Sequence, residues 1–153
     1  LCDAGLLPGA LVRNRSLRFL CRTARLRVEE TDTAFTLRYA RGDVLSIPVK
    51  HGDGCYVADP ATLERLEHNR QIVLRYVDES GAASDRGNPN GSVANIAGIV
   101  NAERNVLGMM PHPEHAVEKL LCGGADGLDM FKSVSQAVQK GLPHRQTVAV
   151  SER

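Results

Sequence analysis

His112 and Glu114 stand two residues apart in the segment Met110-Pro111-His112-Pro113-Glu114. In an extended stretch, residues i and i+2 project to the same side. The prolines flanking His112 hold the backbone stiff and extended. A carboxylate orients and stabilises a nearby imidazole, and an imidazole so held serves as general base toward a thiol or hydroxyl. The same residues also read as a proline-rich surface turn with incidental polar groups, and spacing alone leaves both readings open. His115 adds a third, because two histidines three apart with an acid between them can ligate zinc on a helix. Pro111 and Pro113 argue against a helix, no further ligand cluster stands out, and no metal is expected.

Polar side chains collect again at His51-Gly52-Asp53-Gly54, which by composition reads as a turn. A third dense polar stretch, Asn88-Pro89-Asn90-Gly91-Ser92, reads equally as a capped turn or as a surface for a partner. The four cysteines, Cys2, Cys21, Cys55 and Cys122, form no CxxC pair and match no zinc framework. They read as free, mostly buried thiols in a reducing compartment, which points to the cytoplasm.

The elements that must position these residues follow from periodicity and punctuation. Residues 1–7 end at Pro8-Gly9 and read as the tail of a helix closed by glycine and proline. Leu17 to Val28 alternates apolar residues with arginines, as one or two half-buried strands do. Asp43 to Val49 is a short apolar strand running into the His51 turn. Asp59-Pro60 opens a helix, with Asp to accept free N–H groups and Pro at the first helical position; it carries Leu63 and Leu66 and ends near Asn69. Gln71 to Val77 reads as a strand and Asp78 to Ser92 as a loop. Asn95 to Val100 and Asn105 to Met110 read as a hairpin whose second run delivers Pro111-His112-Pro113-Glu114. A last helix, Asp126 to Lys140, places Leu128, Phe131, Val134 and Val138 on one face and stops at Gly141. Strands outnumber helices, so an α/β or α+β arrangement with a mixed sheet is expected, as part of a larger fold. Ligands of open α/β sheets bind where strands end, which is where His112 lies.

Bulk properties fit that frame. A chain of 153 residues with 42% hydrophobic and 24% charged residues buries a core of ordinary size. A net charge of +1 gives no reason to expect nucleic acid or a membrane surface as partner. No apolar run approaches the ~18 residues of a membrane span, and the apolar start has no basic region of a signal peptide.

Six segments in this order carry a resemblance: residues 4–11 (Ala-Gly-Leu-Leu-Pro-Gly-Ala-Leu), His51-Gly52-Asp53-Gly54, Arg75-Tyr76-Val77-Asp78, Asn88-Pro89-Asn90-Gly91-Ser92, Asn95-Ile96-Ala97-Gly98-Ile99, and Gly108 to Glu114. The chain resembles the class I glutamine amidotransferases, and within them the small glutaminase subunits of phosphoribosylformylglycinamidine synthase, over nearly its whole length to about Val134. The resemblance implies an α/β fold: residues 1–141 as the C-terminal portion of a flavodoxin-like amidotransferase domain, with 142–153 a frayed tail. It implies His112 as base and Glu114 as the acid orienting it, and it places His51, Gly52 and Asp53 in a loop lining the glutamine site. The family's nucleophile is a cysteine in a Gly-x-Cys-Asn-Gly elbow, a few residues before the stretch that Leu1 to Leu6 match. No residue here corresponds to it, and Cys2 matches a later position.

The implied activity is hydrolysis of glutamine to glutamate and ammonia for purine synthesis, with this chain inactive by itself. The implied partners are glutamine, a large ATP-dependent synthetase subunit and a small bridging subunit. ATP and magnesium belong to the synthetase, and no cofactor is expected here. Three departures stand out: Asp53 where the family has Glu, Cys55 in the following turn, and His115 where the family commonly has Arg. If that Arg pairs with an acid, its loss loosens the His112 loop. Two other readings remain open, a shortened relative that binds the synthetase without catalysis and a metal-binding α+β protein.

Overall fold

A computed structural model describes residues 1–120 and 124–141. Seven strands and two helices follow one another as β1 (Ala10–Val12), β2 (Leu20–Val28), β3 (Val44–His51), β4 (Cys55–Val57), α1 (Pro60–His68), β5 (Ile72–Tyr76), β6 (Ile96–Val100), β7 (Leu107–Met109) and α2 (Leu128–Lys140). β1 pairs with β4 in a small sheet, and the other five strands form a sheet in the order β3-β2-β5-β6-β7. Every pairing among the described residues is antiparallel. The fold is mixed α/β, as expected, but the described sheet holds none of the parallel pairs of a mixed sheet.

Alternation decides which way β2 and β3 face. Ala24, Leu26 and Val28 of β2, and Leu45, Ile47 and Val49 of β3, point into one core with Val73, Tyr76, Val100 and Met130. The intervening Arg25 and Ser46 face solvent. Pro48 sits inside β3 because that strand is a sheet edge, where a missing N–H breaks no ladder on the outer side. β5 and β6 are the central apolar strands. Ile72, Ile96 and Ile99 form a second core with Leu66 of α1 and with Leu7 and Tyr56. α1 begins where Asp59 accepts from the Thr62 N–H at 2.9 Å.

The strands expected from sequence lie where β2, β3, β5, β6 and β7 are found. Three expectations change. No helix precedes Pro8. Residues 1–6 form only the closing pair of hydrogen bonds of one, Leu6 N–H to Leu1 O and Gly5 N–H to Cys2 O, with Gly5 in its left-handed position. β1 and β4 were not foreseen, because three residues are too few to show a period. The buried face of α2 is Met130, Ser133 and Ala137, while Phe131 and Val138 are exposed. Counting large apolar residues misplaces this face because the contact is close and partly polar. Ser133 Oγ accepts from the Arg38 N–H at 3.1 Å, and Tyr39 Oη donates to the Asp126 carbonyl at 2.6 Å. The expected frayed tail, 142–153, lies outside the described residues.

Candidate functional site

β7 is one edge of the five-stranded sheet and β3 the other, and the chain leaving β7 reaches β3. There the His112 N–H donates to the Pro48 carbonyl at 2.8 Å. Pro113–His115 then form a single 3₁₀ turn. The turn is closed by His115 N–H to His112 O and Ala116 N–H to Pro113 O. Gly127, just before α2, packs against it, so that a Cβ there would stand 2.2 Å from the Pro113 carbonyl oxygen. A sheet edge on one side and a helix start on the other thus hold the turn.

On this turn His112 Nδ1 lies 2.7 Å from Glu114 Oε1. An ionised carboxylate only accepts hydrogen bonds, so Nδ1 carries the proton and Nε2 is left with a lone pair. That is the tautomer a general base requires. Burial pushes the Glu114 carboxyl up, but the hydrogen bond from His112 and the charges of His112 and His115 outweigh it and hold it below its ordinary value. Both side chains are partly exposed, as groups that meet a substrate must be. His115 Nε2 lies 3.7 Å from the same Glu114 oxygen. His115 thus sets a ring nitrogen beside the acid that orients His112.

His51 ends β3 and is buried, 6% exposed. Its Nδ1 is 2.9 Å from Asn14 Oδ1. The Asn14 amide nitrogen donates to the carbonyls of Arg18 and His51, both at 2.8 Å, so Oδ1 is the acceptor and His51 Nδ1 the donor. His51 Nε2 therefore holds a lone pair and is buried without a hydrogen-bond partner among the described residues. A bare buried acceptor is costly unless something donates to it. Burial first, and the charge of His112 second, hold the His51 pKa below its ordinary 6.5. The structure thus brings His51 within electrostatic reach of His112.

Gly52 gives its carbonyl to the Asn14 N–H at 2.9 Å. Asp53 points outward, and its ion partner among the described residues is exposed Arg13, at 3.6 Å. The Asn88 to Ser92 loop, open between two readings in sequence, has a structural part. Asn90 Nδ2 donates to the Gly54 carbonyl at 2.7 Å, and Ser92 Oγ accepts from the Tyr56 N–H at 3.0 Å. The loop grips the chain just after the His51 turn. Asn14 and Asn90 hold the His51 turn in place, a role the sequence pattern does not mark. Asn14 sits in an arginine-rich polar run with no period to mark it, whereas Asn90 stands in a turn-rich loop whose pattern assigns it no role.

The thiols depart from expectation. Cys55 is buried, Cys2 half-buried and Cys21 exposed, while Cys122 lies outside the described residues. Burial pushes the thiols of Cys2 and Cys55 up, the reverse of an activated nucleophile. An apolar cavity of about 280 Å³ runs from Gly54 and Tyr56 past Leu7 and Ile96 to Met110. Asp3 is the one acidic residue in its lining, a poor match for a zwitterionic amino acid.

The chain is similar to known proteins along most of its length. A family model described as the CobB/CobQ-like glutamine amidotransferase domain matches residues 5–133. Among solved structures, the chain is similar to a chain of the structure of PurLQS from Thermotoga maritima, with 41% sequence identity and a TM-score of 0.74. The match covers 90% of this chain and 57% of that one, so the present chain spans a little over half the length of that relative.

Proposed function

We propose, from the premise that this chain belongs to the family of CobB/CobQ-like glutamine amidotransferase domains, that it supplies the base and its orienting acid to a glutaminase. The observation that carries the reading is the 2.7 Å contact of His112 Nδ1 with Glu114 on a turn clamped from both sides. In this reading a cysteine thiol gives its proton to His112 Nε2 and attacks the amide carbon of glutamine. The imidazolium returns that proton to the departing ammonia, leaving a γ-glutamyl thioester. Water, activated by the same nitrogen, then releases glutamate and restores the thiol. Glu114 holds the ring in one tautomer throughout and stabilises its charged form.

His51 fits as a positioning residue in the same scheme. Buried and fixed by Asn14, it anchors the loop whose Gly52 and Asp53 line the glutamine site. Cys2 and Cys55 do not fit as the nucleophile, because burial raises both thiols. By the resemblance, none of the cysteines of this chain matches the thiol that His112 serves.

The likeness to PurLQS supports a narrower reading, the glutaminase of phosphoribosylformylglycinamidine synthase. The ammonia then passes to a large synthetase subunit, which holds ATP and magnesium, with a small subunit bridging the two. Glutamate release by the native protein assembled with its synthetase tests this. His112→Ala lowers kcat by about 10²- to 10⁴-fold, the range a positioned base contributes. Undiminished hydrolysis in that variant would overturn the assignment, as would a γ-glutamyl thioester formed on the isolated chain at Cys2 or Cys55.

A further inference from the structure

His112, Glu114 and His115 do more than form a base and its orienter. One ligand atom from each lies within 4.8 Å of the other two. The sequence argued against a metal here because prolines forbid the α-helix that brings two histidines together. The structure assembles them differently, on a 3₁₀ turn, in which residues three apart lie one above the other. The rings of His112 and His115 meet edge to face, with centroids 5.6 Å apart. Glu114 Oε1 already sits 2.7 Å from one ring nitrogen and 3.7 Å from the other.

We propose that this turn is a site for a divalent transition-metal ion of the zinc class, and that occupancy stops His112 from acting as a base. Two imidazoles and a carboxylate are the donor set of many zinc sites, with a fourth position left to water. Tetrahedral coordination at the usual bond lengths puts ligand atoms about 3.4 Å apart. The present separations, from 2.7 Å to no more than 4.8 Å, bracket that value. Pro48 and Gly127 already clamp the turn, so little ordering entropy is lost on binding.

The consequence for the base rests on the amidotransferase reading. The ion coordinates His112 at Nδ1, where the proton now sits. A neutral ring metallated at Nδ1 carries its proton at Nε2. Nε2 then has no lone pair for a thiol proton. The ring stays neutral, Glu114 exchanges a hydrogen bond for a metal bond, and removal of the ion restores the original tautomer.

Cobalt(II) tests the site, since it absorbs visibly and thiolate ligation adds a sulfur-to-metal charge-transfer band. The full chain takes up one equivalent without that band, the ring signals of His112 and His115 broaden, and zinc competes. His115→Gln weakens binding by more than about tenfold, the scale on which even outer-shell changes act. Unchanged binding in that variant, a thiolate band, or no uptake overturns the site. Nitrogen NMR of the labelled rings tests the switch: zinc moves the His112 proton from Nδ1 to Nε2, and a proton remaining at Nδ1 with zinc bound overturns it. If the native assembly hydrolyses no glutamine without zinc, the amidotransferase reading fails, while these spectra still decide the metal site.

Discussion

Asn14 Oδ1 lies 2.9 Å from His51 Nδ1 and 3.1 Å from the Gly54 N–H, so one buried amide sets both the tautomer of the imidazole and the path of the turn after it. Its amide nitrogen holds two carbonyls in the same place. All four polar capacities of the side chain are used inside the protein.

Asn14→Ala therefore strands several buried groups at once. Each unsatisfied buried donor or acceptor costs about 1–3 kcal/mol, so a loss of about 3 kcal/mol or more is expected. Urea denaturation measures it. A loss below about 0.5 kcal/mol, typical of a surface site, would show that water replaces the network at no cost.

His51 makes stability depend on acidity in a defined direction. The unfolded chain protonates it near 6.5, whereas the folded protein does so at lower pH. Below 6.5 the unfolded state binds more protons, so stability falls as pH drops through the folded-state value. Above 6.5 the contribution is complete and flat. The ring signal of His51 in an NMR titration reports the folded value directly, and a midpoint at or above 6.5 would contradict its burial as a neutral ring. In His51→Gln the same stretch of the denaturation profile flattens.

Gly127 touches no reacting group, yet Gly127→Ala pushes a methyl into the Pro113 carbonyl. The turn must shift, and His112 with it. A misplacement of about 1 Å costs up to about 10²-fold in rate, so kcat for glutamine falls in the native assembly while the overall fold survives. Gly87→Ala is the control, because its Cβ would meet the Val77 backbone at 2.2 Å, in a loop away from the turn. It lowers stability, and equal rate losses in the two variants would remove the case for the clamp.

The shifted face of α2 is tested by paired substitutions. Met130 is buried and Val138 is 78% exposed. Met130→Ala costs about 2–5 kcal/mol, and Val138→Ser stays within about 0.5 kcal/mol. Thermal or chemical denaturation separates them, and the opposite order would restore the face that the apolar pattern suggests.

The sequence by itself determined the elements whose signals are local. Asp59-Pro60 starts α1 because an acceptor and a preset φ suffice for a helix start. Alternation in β2 and β3 marks their buried sides because side chains change face at every residue. His112 and Glu114 were legible as a pair, but the backbone expected to be extended between them is a 3₁₀ turn, and it is on that turn that ring and carboxylate meet. Gly5, Asn14, the β1–β4 pairing and the buried face of α2 were decided only in three dimensions. Asn14 and His51 are 37 residues apart, and no local preference of an arginine-rich run foretells that its asparagine will be buried against the end of a distant strand. The turn that bears His112 shows both halves of this. Its residues and stiffness come from the sequence, but the Pro48 carbonyl and Gly127 that hold it, and the approach of His115 to Glu114, arise from packing between segments that are remote along the chain.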